Sequence, residues 1–360
     1  MTNSAFTIRE DVVWPPRLNL PSRPPALVYL DLNHYINMAK VVLSKVAPDG
    51  YRELLTSARR AAADGRAVFV LSATHLMEVT AIKDPRQRAD IADVMGELSN
   101  FTYMLGRPLI QQFEVEGSLA ELVGPQIFGL KPLDLLGFGA GYPFGLVTSV
   151  SLEGEGAAAA DRIRENAGQQ TLDQFLAVLQ REAQLFFLNG GDTGHPAGNW
   201  RSILDSRANR EIAQAAAIDA DPGYPMDKLR SIVTVNEVDV ELKEIIAGRL
   251  AESGRAPDEV LPTAEIAHRF TDGMPSTRVA IAMKTHYFKN ASKNWTSNDV
   301  HDIDALAVAV AYCDAVYSDK QAMHAVRSSR ELNVFGTVLP RTPLEMADWL
   351  DQQPAVPAAG

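Results

Sequence analysis

One cysteine stands in the whole chain of 360 residues, so Cys313 can neither close an internal disulfide nor build a cysteine-rich zinc site. That fits a reducing compartment, and the expectation is a cytoplasmic protein. Long apolar runs are lacking too. The stretch 130–152 comes closest to a membrane span, but Lys131, Asp134 and its glycines break it. Residues 1–25 carry Arg9, Glu10, Asp11 and two proline pairs, with no apolar core of signal-peptide length. Basic charge is in deficit, with 34 Lys plus Arg against 45 Asp plus Glu and a net charge of −11. A protein that grips nucleic acid over its whole surface is excluded, which leaves room for a local basic groove only. No GxxxxGK(S/T) loop occurs, and the glycines of 137–145 and 189–198 lack the strand-before, helix-after setting of a phosphate-binding loop. Internal repeats and coiled-coil heptads are absent as well.

What remains is an ordinary globular composition, 46% hydrophobic and 22% charged, long enough to bury a core without staples. The apolar run ALVYL at 26–30 predicts a buried strand, and 35–43 continues with helical spacing. A helix over 51–63 ends at Asp64-Gly65, where glycine suits the cap. AVFVL at 67–71 predicts a second buried strand, followed by a helix capped by Ser72 or Thr74 that carries Leu76, Met77 and Glu78. Two βα units in succession imply a parallel α/β sheet. From about 101 to 273 the pattern is helical, with 171–188 presenting Leu172, Phe175, Leu176, Leu179 and Phe186 on one side. The α/β pattern returns in a helix over 298–312, a strand over 315–318, a helix from 321 and a last strand over 334–338.

The carboxylates are placed informatively. Asp31 and Asp319 each follow a strand, and Glu78 lies on the helix after another. Asp299 and Asp302 sit three apart at the start of a helix and share a face, whereas Asp304 lies about 140° from Asp299 around the helix. Strand C-termini and following helix starts share one edge of a parallel sheet, so acids far apart in sequence converge there. Clustered carboxylates raise each other's pKa unless a hard divalent cation compensates, and Mg²⁺ or Mn²⁺ prefers such oxygens. A pair of such ions can activate water in phosphodiester cleavage. Each acid also has a local structural reading, as turn residue or helix cap.

The segments YLDLNHYINMA (29–39), VLSATHLMEV (70–79) and NDVHDIDALAVAVAYCDAVYSDK (298–320) resemble the PIN-domain nucleases. The resemblance implies a PIN-like α/β domain from 26–104 plus 285–348, with a parallel sheet flanked by helices. An extended arm (1–25), a mainly helical insertion (105–284) and a disordered tail (349–360) complete the chain. It further implies Asp31, Glu78, Asp302 and Asp319 as metal-binding catalytic acids for Mg²⁺ or Mn²⁺, Asp299 as an additional ligand, and Asn33 holding the Asp31 carboxylate. The third acid is Asp302 or Asp304, with Asp302 preferred for its shared face with Asp299. The insertion is longer than a compact member of that family accommodates.

The expected activity is metal-dependent phosphodiester hydrolysis, of RNA in preference to DNA, with single-stranded RNA the expected partner. Arg278, Lys284, His286, Lys289 and Lys293, interleaved with Tyr287, Phe288 and Trp295, form a candidate substrate segment, with Lys284 and Lys289 as its binding residues. Homodimers are common in the family, and the insertion offers a surface for a protein partner; no membrane partner is expected. His34, three residues after Asp31, reads as a packed or capping histidine. Cys313 lacks an adjacent base, which argues against a thiol nucleophile. The alternatives are a catalytically degenerate PIN-like binding or scaffold protein and, less favoured, a HAD-type phosphatase, which needs an Asp where Asn33 stands.

Overall fold

The computed structural model of the chain describes residues 12–124, 130–146, 153–191, 197–221, 223–251, 254–290 and 295–355. The N-terminal arm forms β1 (Leu18–Asn19) and leads into β2 (Ala26–Leu30), every residue of which is buried. A strand covered on both faces needs no polar alternation, and ALVYL has none. Asp31 ends it, and its carboxylate accepts the Leu32 N–H to cap α1 (Leu32–Val42). After α2 (Tyr51–Ala63), Gly65 takes the left-handed conformation at φ +64° that turns the chain into β3 (Ala67–Phe69). Ser72 caps α3 (Ala73–Ala81); α4 (Pro85–Ser99) and β4 (Thr102–Met104) follow.

The middle is mainly helical, as its patterning predicts. It comprises α5 (Arg107–Val123), the short strands β5 (Leu133–Asp134) and β6 (Leu136–Phe138), α6 (Glu155–Ala167), α7 (Gln169–Leu188) and α8 (Ala197–Ala220). Then come α9 (Leu229–Asn236), a π-helical turn Glu237–Leu242, α10 (Lys243–Ala251), α11 (Pro257–Val260), α12 (Ala264–Gly273) and α13 (Pro275–Phe288). The chain closes with α14 (Ser297–Tyr312), β7 (Ala315–Tyr317), α15 (Lys320–Ser328) and α16 (Pro343–Asp351).

The architecture is mixed α/β. The central sheet has the order β3-β2-β7 with all neighbours parallel. Single parallel bridges, Leu71 to Tyr103 and Ala315 to Val338, extend it on either side, and β4 pairs antiparallel with β6. One large core joins the sheet to α13, α14 and parts of α5, α7 and α9. A satellite cluster around Val115, Leu242, Ile246 and Phe270 joins α5 to the helices after α9. No helix of the described residues is long and apolar enough to cross a membrane.

Several expectations are corrected. The last strand, over 334–338, is replaced by a 3₁₀ turn at Arg330–Phe335, which Gly336 closes at φ +67°, leaving only Val338 bridged to the sheet. The loop at 137–145 contains β6 and a 3₁₀ turn at Tyr142–Phe144. On α7, Phe175 and Phe186 are exposed while Leu172 and Leu188 are buried. A tail drawn from 349 cuts into α16, where Leu350 is fully buried and the helix packs on α2. Residues 356–360 of that tail, 1–11 of the arm and Lys293 lie outside the described residues.

Candidate functional site

The register of the sheet builds one side of the site. Leu30 pairs with Tyr317, so Asp31 and Ser318 leave adjacent strands side by side. Ser318 Oγ donates to Asp31 Oδ2 at 3.0 Å, Asn33 Nδ2 donates to the same oxygen at 3.3 Å, and the Leu32 N–H donates to Oδ1 at 2.6 Å. Asn33 therefore touches Asp31 as the resemblance implies. Ser318 is a holder that sequence reasoning missed; its place in YSD beside Asp319 was its one available signal. Asp319 caps α15, accepting the Gln321 and Ala322 N–H groups.

Glu78 comes from α3 and Asp302 from α14. A helix that precedes a parallel strand runs antiparallel to it, so α14 begins on the edge where the strands end. Burial pushes the Glu78 carboxyl up to about 8, and the charges of Asp31, Asp302 and Asp319 add to the shift. Asp31 is raised by burial, partly offset by the Ser318 and Leu32 hydrogen bonds, with Asp319 raising it further. Tyr29, behind the site, is raised by burial and by Asp31 and Glu78; Tyr287 is raised by burial and then by Asp302, Asp299 and Asp319. Acids from four separate segments thus act on one another in one place, and all four are half-buried.

Behind them His75 is fully buried and ties two acid-bearing elements together. Its Nδ1 accepts the Ser72 N–H at 3.0 Å, which leaves Nε2–H to donate to the Leu30 carbonyl at 2.8 Å. The end of β2 and the start of α3 are fixed to each other by one imidazole. Nothing in the local pattern signals this, because a histidine at the third position of a helix is not a usual capping partner.

Asp299 and Asp304 go elsewhere. Asp299 is buried in a capping box, its Oδ2 accepting the Thr296 N–H and hydroxyl, both at 2.8 Å. Asp304 accepts from Arg107 at 2.9 Å and from Arg207 at 2.5 and 2.9 Å; although burial opposes ionisation, the two guanidiniums hold its carboxyl well below the usual range. Asp304 is thus taken up by two guanidiniums, whereas Asp302 is the α14 acid whose charge acts on Glu78.

Lys284 is corrected outright as a substrate-binding residue. It is buried, with Nζ 2.5 Å from Glu211 and 2.9 Å from Glu237, inside a charge network that also holds Arg107. A lysine on a helix packed on both sides reaches a carboxylate, not solvent. Arg278 and Tyr287, Phe288 and Trp295 are buried too, the aromatics as core. Lys289 is exposed at the end of α13, and His286 there lies 5.2 Å, ring to ring, from the exposed His324 of α15. His34 is packed as expected, its ring 3.8 Å from that of Tyr317 and its Nδ1 2.8 Å from the Tyr51 hydroxyl. Burial pushes the Cys313 thiol up, and its Sγ lies 3.6 Å from Met104 Sδ, which leaves no poised nucleophile there.

The donor set suits a hard divalent ion. All four groups are carboxylates, and Asn33 adds a buried amide oxygen that meets no donor among the described residues. The acids are electrostatic neighbours and not a finished coordination shell: no three His, Cys, Asp or Glu among the described residues form a ready-made metal group. Comparison with known proteins gives no family model, no curated protein and no solved structure that matches the chain.

Proposed function

We propose that the chain is a metal-dependent phosphodiester hydrolase of the PIN-like type, acting on RNA. The observation that carries this reading is the mutual electrostatic action of Asp31, Glu78, Asp302 and Asp319, delivered by four segments to the edge where the parallel strands end. Such a cluster is destabilising by itself and makes physical sense as a cation site. The four carboxylates would hold Mg²⁺ or Mn²⁺, which when bound lowers the pKa of water and stabilises charge on phosphate oxygens. Ser318 and Asn33 orient the Asp31 carboxylate through one oxygen, and His75 holds the Glu78 helix against the Asp31 strand. Lys289, with His286 and His324 beside it, supplies cationic or protonatable groups for a phosphate backbone, while the net charge of −11 keeps contact local.

The test is cleavage of end-labelled single-stranded and hairpin RNAs and DNAs with Mn²⁺. Metal-dependent cutting of RNA that disappears in Asp31→Asn and Asp319→Asn supports the reading, whereas equal cutting by the variants places any activity elsewhere. That no three His, Cys, Asp or Glu among the described residues form a ready-made metal group favours one second reading, a non-catalytic binding protein of the same fold. A folded chain that cuts nothing in the panel would move that reading ahead.

A further inference from the structure

The faces of α3 and α14 next to the acids enclose something the hydrolase reading does not use. A pocket of about 330 Å³ lies between the start of α3, the start of α5 and one side of α14. On α14, His301, Asp304, Ala305 and Val308 line it at helical spacing, one position round from Asp302. On α3, Ala73, Thr74 and Met77 line it, and Met77 directly precedes Glu78. Its inner wall is apolar, from Met104, Leu105 and Val308, and half-buried Phe144, Met77 and His301 stand where it meets solvent. The volume is at the small end for ligand sites.

Gln111 and Arg107, both on its lining, each carry a buried nitrogen with no acceptor among the described residues. Gln111 is 5% exposed, and its amide nitrogen meets no acceptor among the described residues. Arg107 is 2% exposed; its terminal nitrogens reach Asp304 and Glu237, but Nε meets no acceptor among the described residues. Burying a donor without an acceptor is costly, so acceptors are wanted here. The lining charges are matched, Arg107 and Arg207 against Asp304 and Glu241. A neutral occupant with apolar faces and an acceptor-bearing edge suits that combination better than an anion does.

We propose that this pocket receives an unpaired nucleobase of the strand whose phosphodiester meets the acids, the Gln111 amide donating to a ring carbonyl or ring nitrogen. The inference rests on the hydrolase reading for the identity of the strand. Phe144 at the mouth offers a ring on which the base stacks. The chain would then prefer some bases at one position relative to the scissile bond.

The experiment is equilibrium binding of the full chain, in EDTA so that nothing is cut, to four homopolymeric hexaribonucleotides and an abasic hexamer of equal charge. At least one base is expected to bind about tenfold tighter than the abasic strand. Gln111→Leu and, at the half-exposed mouth, Phe144→Ala are each expected to reduce that margin several-fold with the fold retained by circular dichroism. Free 5′-nucleotides form a second arm. If they show the same Gln111-dependent order, the base-binding chemistry stands and a small nucleotide is a sufficient ligand. All five strands binding within twofold of one another, or a margin unmoved in both folded variants, overturns the proposal. Cleavage with Mn²⁺ reads the acids separately. A chain that cuts without base preference loses the pocket alone; one with Gln111-dependent base binding and no cutting loses the hydrolase reading alone.

Discussion

Glu78, held at about 8, is largely protonated at neutral pH in the metal-free protein, whereas the unfolded chain ionises it near 4.5. Between those values the folded state binds more protons, so this residue's contribution to stability falls as pH rises from 4.5 to 8. Glu78→Gln removes the conflict: thermal unfolding without metal should show the variant stabilised at pH 8, by on the order of 2 kcal/mol, with little gain at pH 5. A variant less stable than wild type at pH 8 would mean that Glu78 is not crowded by the other acids. The buried histidines carry the opposite sign. Burial lowers His75 to about 4 and His34 to about 3, against 6.5 unfolded. Their neutral forms contribute stability that is complete above 6.5 and is lost as pH falls toward 3. Denaturation midpoints should drop across that window, and His75→Gln should shrink the drop; an equal drop in the variant would contradict the assignment.

At the scale of elements, helix starts and the buried ion network decide which charged residues are available for function. Thr296→Ala breaks the α14 capping box and should cost about 1 kcal/mol in urea unfolding, because two hydrogen bonds at Asp299 lose their partner. Lys284→Ala takes from buried Glu211 the cation it pairs with, leaves Glu237 with Arg107 alone, and should cost about 3–5 kcal/mol. Lys289→Glu should be near neutral for stability yet weaken RNA binding and flatten its salt dependence, whose slope for single strands changes by about 0.7 per phosphate contact. Unchanged affinity and slope in Lys289→Glu would remove α13 from the substrate path. The sequence distinguishes these two lysines poorly. Lys284 lies within α13 and Lys289 caps its end, and only the packing of α13 against α14 and α9 separates a buried partner from an exposed one. The helical face favours Asp302 over Asp304 in the sequence, and Arg107 and Arg207, nearly 200 and 100 residues away, are what engage Asp304 in the fold.

At the scale of the whole molecule, the three strands of the central sheet and the acids after β2 and β7 were legible because local rules act there: a short apolar run, an Asp that stops it, and a helix that starts on it. The two ends of the chain meet because β7 pairs beside β2, which the order of βα units foreshadows. Illegible were the contacts that depend on distant segments: His75 against Leu30, Ser318 against Asp31, and the pocket at Gln111. If four carboxylates from distant segments form one divalent-ion site, calorimetric titration with Mn²⁺ should reveal it without any substrate. Wild type and Asp299→Asn should bind Mn²⁺ at millimolar affinity or better, and Asp31→Asn, Asp302→Asn and Asp319→Asn should each lose that binding while remaining folded. Equal binding in all five proteins, or loss in Asp299→Asn with retention in Asp302→Asn, would contradict it.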